Sequence, residues 1–415
     1  MPVTDTVPSR EGEAEPGLAP GELIARAKAF VPELIERQAE TEKRTRCAAD
    51  THEAFRRAGF YRALVPRRYG GHEVDPGTFA TVIKELARGC PSTAWCVCLA
   101  AHHAVQVATW FPGHVQAEAF GGGDFLCPSV SAPAGTVTRV DGGWRVDGTH
   151  GYASGAPYAT HYLGQALPAA EPNGVPIGPP ALFLAPRSSW TMLDDWGTTL
   201  GLKGSGSNSV RFDGAVLPED SVIENLFLID ADVTGGTEGY RVHRNPLYAG
   251  RTLSLFSLDF AALVVGMALG ALDEYENIIR AKKTGRPPVV LRMHNAHYQR
   301  WLGKATAKLR AAEALVTEAA EQYLDACRAG VSGERPFTRS VDLDIQVLGR
   351  ESMWLSWEAM QETLFRTAGS AAAEDGQRMQ RIWRDMSMAW GHRFNVLVEF
   401  IDEDRGRDHL GITDA

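Results

Sequence analysis

Residues 378–400 read RMQRIWRDMSMAWGHRFNVLVEF, and the interpretation of the whole chain turns on them. At 3.6 residues per turn, Asp385 and His392 stand seven positions apart and share one helix face, with Ile382, Met386 and Ala389 a little further round. The segment therefore predicts a helix with an Arg384–Asp385 pair and a single imidazole on an otherwise apolar face. On spacing alone, a satisfied core histidine is the commoner outcome. The rest of the chain decides between that and a working one.

Three other long helical patterns precede this one, at 251–282, 292–329 and 338–369, and the fourth runs 376–404. Four in succession predict an antiparallel four-helix bundle over residues 226–415. At the other end, residues 21–123 are also helical: apolar residues recur at three- and four-residue steps, Asp50 suits an N-cap, and 92–111 is apolar almost all round and hence buried. Between the two the period falls to two. Short strands are expected at 136–140, 143–146, 161–166, 181–185 and 209–212, with Asp141-Gly142-Gly143 as a hairpin turn, so residues 124–225 predict a small closed or sandwich-like β domain. Residues 1–20, rich in Pro, Glu and Gly, read as a flexible tail. The fold class is mainly α with a central β domain.

A chain of 415 residues is too long for one core, and its 44% hydrophobic and 22% charged residues are ordinary for a globular protein. The net charge of −9 disfavours nucleic acid or an anionic membrane as partner. The longest apolar run, 256–272, is interrupted by Asp259 and suits a buried core helix, so no membrane span is predicted. The six cysteines are scattered without a CxxC pair, which points to reduced thiols, a cytoplasmic location and no zinc site. His102 and His103 are adjacent and so diverge on a helix, which weakens a metal reading.

Five stretches carry a resemblance: CPSTAW (90–95), SAPAG (131–135), GGWRVDGTHGYASGAPYA (142–159), GLKGSGSNSV (201–210) and RIWRDMSMAWGH (381–392). In this order they resemble the flavin-dependent monooxygenase branch of the acyl-CoA dehydrogenase superfamily, typified by the oxygenase component of 4-hydroxyphenylacetate hydroxylase and by the secosteroid phenol hydroxylase. The resemblance implies an N-terminal helical domain, a small β-barrel domain and a C-terminal four-helix bundle. It implies a two-component enzyme in which reduced FMN or FAD meets O2, forms a C4a-hydroperoxide and hydroxylates an aromatic or phenolic small molecule, polyketide phenols included. His392 matches the family's catalytic histidine, titrating near neutrality. Ser154 matches the residue beside flavin N5, with Gly155 next to it. Trp95, Ser129 and Ser131 match positions flanking the isoalloxazine, Arg251 is assigned to a flavin phosphate, and Thr367, Ala368, Gly369 and Ser370 to an anion-binding turn. His102, Tyr248, Phe256, Trp357 and Trp390 are the expected pocket walls.

Two departures narrow the chemistry. Residues 245–257 hold no carboxylate where an acyl-CoA dehydrogenase needs its base, and Trp390-Gly391-His392 stands at the other family position for it. No GxGxxG follows a strand, since the glycines at 201, 204 and 206 have the wrong pattern, so reduced flavin is expected from a separate NAD(P)H:flavin reductase. N-oxygenation of an amino sugar, acyl-CoA dehydrogenation and a non-catalytic scaffold stay open as alternatives. A homotetramer is expected, because 256–272 and the bundle helices carry more apolar surface than one bundle seam needs.

Overall fold

The computed structural model describes residues 17–130, 132–229 and 231–412, with side chains throughout except at 393–399. Most of the expected tail, residues 1–16, lies outside the described residues.

The N-terminal helices are α1 (Pro20–Arg44), α2 (Ala49–Ala58), α3 (Pro76–Gly89), α4 (Pro91–Trp110) and α5 (Gly113–Gly121). The start of α3 shows why these boundaries fall where they do. Pro76 presets the first helical φ, and the Asp75 carboxylate accepts from the Thr78 N–H at 2.9 Å. Asp50, by contrast, does not cap α2. Ala48 does, and Asp50 sits in the first turn, paired with Arg37 at 2.9 Å. Helix α4 is buried at every position except Cys96 and Trp110, as its uniform apolarity requires.

The sheet domain contains β1 (Ser129–Val130), β2 (Thr136–Val140), β3 (Gly143–His150), β4 (His161–Pro168), β5 (Ala181–Pro186), β6 (Thr191–Met192), β7 (Val210–Leu217) and β8 (Val222–Ile223). Its order is β6-β7-β3-β2-β4-β5-β8, with β1 added in parallel to β4. The sheet curls around its own core of Val137, Trp144, Val146, Tyr162, Phe183 and Phe212. The expected hairpin is present: Val140 pairs with Gly143 across a two-residue Asp141-Gly142 turn, and Gly142 takes φ +87°.

After the short α6 (Glu238–His243) come α7 (Thr252–Ala281), α8 (Ala296–Ser332) and α9 (Arg339–Glu358). Helix α9 runs on through a π-helical stretch, Ala359–Phe365, into α10 (Arg366–Ala368). The expected fourth helix is two, α11 (Arg378–Trp390) and α12 (Arg393–His409). They part at Gly391 and His392, where the His392 N–H reaches back to the Ala389 carbonyl at 3.1 Å and tightens the last turn. Ion pairs Arg339–Asp404 (2.9 Å), Arg350–Asp402 (2.6 Å) and Arg405–Asp344 (2.6 Å) then hold α12 against α9.

Helix α7 is long and apolar enough to cross a membrane, yet 83% of its most apolar window is buried inside the fold. It packs against α3, α4, α8, α9 and α11, so the N-terminal helices and the bundle share one continuous core. That corrects the reason given above for self-association: almost all of residues 256–272 are consumed within a single chain.

Candidate active site

Four walls enclose a cavity of about 560 Å³, within the range typical of cofactor and small-molecule sites. On α4, Trp95, Leu99, His103 and Gln106 recur at steps of four, four and three and so form one lining stripe. The sheet domain contributes Ser129, Ser154, Ser205 and Ser207, and the first turns of α7 give Thr252, Leu253 and Phe256. The break between α11 and α12 supplies the fourth wall with Gly391 and His392, beside Met388. Tyr152, 63% exposed, sets its ring edge-to-face with Trp196 at 5.6 Å on the rim.

The hydroxyls form a chain. Trp95 Nε1 donates to Ser154 Oγ at 2.9 Å, Ser154 Oγ lies 2.8 Å from Ser207 Oγ, and Ser207 Oγ lies 2.6 Å from Ser205 Oγ. A buried indole N–H needs an acceptor, and Ser154 supplies it while keeping a further hydrogen-bonding direction. Gly155 follows at φ +84°, so the chain turns sharply behind Ser154, and it lines a smaller pocket on that side rather than the main cavity.

His392 packs edge-to-face on Trp95 and tilted on Phe260, both at 5.4 Å between ring centres. Burial pushes its pKa down to about 4, which corrects the expectation of titration near neutrality. It is a neutral imidazole at pH 7, able to accept a hydrogen bond. It reaches the cavity because the helix ends before it, not because it shares a face with Asp385. Asp385 is buried elsewhere, where Oδ1 accepts from the Leu202 N–H at 2.6 Å and burial raises its pKa to about 7.

The RIWRD motif around Asp385 is a three-way joint. Arg381 and Arg384 pair with Glu42 of α1 at 2.8 and 2.6 Å. Burial opposes the Glu42 charge, but the two guanidiniums prevail and hold its carboxyl below the usual range. Arg384 also donates to the Leu200 carbonyl at 2.9 Å. Gly201 lies so close to this helix that a Cβ there would sit 2.1 Å from the Arg384 carbonyl oxygen.

Of the other expected residues, Ser129 and Phe256 line the cavity, and Ser131 lies outside the described residues. Several do not reach it. His102 is fully buried behind the α4 stripe, its Nδ1 3.0 Å from Asp259 Oδ2. Tyr248 is a core residue whose hydroxyl donates to the Leu64 carbonyl at 3.0 Å. Trp390 stacks on Trp357, 5.6 Å between centres and 8° from parallel, and neither lines the cavity. Arg251 is 5% exposed and is taken up by Asp342 at 3.0 Å, an internal ion pair that leaves it out of the lining. Ala368, Gly369 and Ser370 line a second cavity of about 290 Å³ with Lys282 and Arg292, while Thr367 bonds Tyr275 and the Thr363 carbonyl, both at 2.7 Å.

Sequence reasoning missed His103. Its Nδ1 is 2.6 Å from the Cys127 carbonyl, so that nitrogen carries the proton, and burial pushes its pKa to about 3. Nε2 is then the acceptor of a neutral ring on the cavity wall. Helix phase from Trp95 does not single it out, because His102, seven residues on, stands nearer the Trp95 direction than His103 at eight.

The cavity fits a flat, partly polar cofactor. An aromatic edge and a serine row meet on its wall, and the buried Thr252 hydroxyl on the α7 wall has no hydrogen-bond partner among the described residues. Residues 21–111 match the acyl-CoA dehydrogenase N-terminal domain, and residues 258–396 match the acyl-CoA dehydrogenase C-terminal domain. The chain belongs to the acyl-CoA dehydrogenase superfamily. Within that superfamily its relatives are hydroxylases. It is 28% identical over 389 residues to the flavin-dependent monooxygenase oxygenase subunit HsaA of Rhodococcus jostii, covering 90% of this chain and 94% of that one. It is 28% identical over 406 residues to the oxygenase component of the FADH2-dependent resorcinol hydroxylase of a Rhizobium species, covering 94% of both. The structure of XiaF from a Streptomyces species, in complex with FADH2 and glycerol, superimposes with a TM-score of 0.85 at 25% identity, over 95% of this chain and 96% of that one.

Proposed function

We propose that this chain is the oxygenase component of a two-component phenol hydroxylase, supplied with reduced FMN or FAD by a separate NAD(P)H:flavin reductase. The observation that carries the reading is the position of Trp95, which hydrogen-bonds Ser154 on one side and packs on His392 on the other, inside one cavity. Ser154, Trp95 and Ser129 would hold the flavin ring, and bound reduced flavin supplies the activation of O2 and one oxygen atom for transfer. Everything else is the work of the protein.

His392, neutral at pH 7, accepts a hydrogen bond from the substrate hydroxyl. Burial holds the His392 imidazolium pKa, about 4, well below that of a phenol, so full proton transfer is unfavourable in the resting complex. The proton therefore moves to His392 only as oxygen transfer acidifies the ring, so the charge is met when it develops. His103 Nε2 is a second acceptor, on the α4 wall. Leu99, Leu253, Phe256 and Met388 keep water from the reacting atoms. The turn at 367–370 is retained as an anion site, supported by Gly369 at φ +98° beside Arg292 and Lys282.

The test is O2-dependent hydroxylation of a phenol by the purified chain given chemically reduced FMN or FAD. Turnover that needs no oxygen would instead point to dehydrogenation. Self-association, with a homotetramer as the expected form, rests on Trp354, Phe400 and Leu410, which are exposed by 41%, 58% and 73%. A monomer by light scattering at micromolar concentration would refute it.

A further inference from the structure

Behind the lining stripe of α4 lies a buried polar chain that the chemistry above does not use. Asp259 of α7 is fully buried, and its Oδ2 accepts from His102 Nδ1 at 3.0 Å. A ring protonated at Nδ1 leaves Nε2 bare, and that nitrogen accepts from Gln106 Nε2 at 3.1 Å. Each group donates inward, towards Asp259. With the ring in that tautomer the Gln106 amide nitrogen faces His102, and Oε1 is left as an acceptor with no hydrogen-bond partner among the described residues. Gln106 is 7% exposed and lines the cavity.

Buried carbonyl oxygens without a partner are uncommon, because the lost hydration is not recovered. Here the chain goes further than tolerating one, since it buries a carboxyl and an imidazole that hold the amide in the orientation that creates it. A site built to hydrogen-bond a ligand group discriminates strongly against the analogue that lacks it. The position matters as much as the chemistry. Gln106 lies eleven residues beyond Trp95 on α4, about 16 Å along the axis, whereas Trp95 is the residue His392 packs on. A single phenol ring with its hydroxyl at His392 falls well short of that distance.

We infer that Gln106 accepts a hydrogen bond from a second, remote donor on the substrate, and that the substrate class is a multi-ring phenol with a hydroxyl or N–H on its distal ring. His102 and Asp259 are positioning residues for that contact. The inference rests on the phenol-hydroxylase reading above.

The test uses the full chain with reduced FMN and three probes: a naphthalenediol with its hydroxyls on different rings, its monomethyl ether, and phenol. Wild type is expected to favour the diol over the ether by about tenfold in single-turnover yield and in Kd, the worth of about one hydrogen bond. Gln106→Leu and the more forgiving Gln106→Met bring that ratio to about one. His102→Leu narrows it too, although residue 102 touches no ligand. An unchanged ratio in folded Gln106 variants overturns the inference, and so does a loss of FMN affinity alone, which would place Gln106 on the cofactor. If wild type binds reduced FMN but oxygenates none of the probes, the phenol-hydroxylase reading falls and this inference with it.

Discussion

Trp95 Nε1 donates to Ser154 Oγ at 2.9 Å, and this bond ties helix α4 to the sheet domain at the cavity wall. It fixes both partners at once. The indole cannot rotate without losing its acceptor, and the serine cannot turn away without leaving a buried N–H unpaired.

Ser154→Ala should therefore do two separable things. It removes the only acceptor shown for the Trp95 N–H, at a cost of about 1–3 kcal/mol in urea denaturation. It also lowers the ratio of product formed to O2 consumed, with the remainder appearing as H2O2. Full coupling in the variant would remove Ser154 from the flavin's surroundings.

His392→Ala should keep reduced-flavin binding and O2 consumption but lower single-turnover product yield at least about tenfold, about 1.4 kcal/mol of barrier. Were the imidazole only filler for Trp95 and Phe260, the variant would melt earlier and the surviving protein would turn over normally, since a cavity costs stability rather than transition-state contacts.

Asp385 gives a cleaner contrast. Asp385→Asn keeps an acceptor for the Leu202 N–H and removes a charge that burial disfavours, so it is expected to leave stability at pH 8 unchanged or raised. Asp385→Ala orphans that N–H and should cost about 1–3 kcal/mol by urea denaturation. Equal losses in both variants would refute the account.

Acid should unfold this protein early. Burial lowers His102 and His103 to about 3, and His150, His161 and His392 to about 4, from an ordinary 6.5. Between those values and 6.5 the unfolded chain takes up protons that the folded chain refuses, so stability is full above about pH 6.5 and is lost as pH falls towards 4. Asp385, raised to about 7 from 3.8, acts in the opposite sense over the same window, as does the raised Asp259, but the histidines outnumber them. A melting temperature that stays flat from pH 7 to pH 4.5 would contradict this.

How much of this was legible in sequence varies with the kind of signal. Periodicity located the helical and β regions, because a change from 3.6 to 2 survives local irregularity, and the Asp141-Gly142 turn was readable because few sequences accept its φ. Periodicity failed at Gly391, where one missing side chain and a tightened turn ended a helix that the pattern carried through. For Arg251 and Tyr248 the error was one of partners: nothing local says that Asp342 or the Leu64 carbonyl waits across the fold. His102 and His103 are a similar case, since helix phase from Trp95 favours His102, and the Asp259 carboxyl and Cys127 carbonyl that hold the two rings lie across the fold.

The helix break at Gly391 has a consequence for handling the protein. His392 follows the end of α11, and the backbone beyond it enters α12, which the Asp402, Asp404 and Arg405 pairs clasp to α9. Those pairs are partly exposed and weaken with ionic strength. Helix α12 thus anchors, from outside the cavity, the backbone that follows a cavity-lining residue. A purification tag or high salt at this end is expected to loosen the α12–α9 clasp before it unfolds the chain.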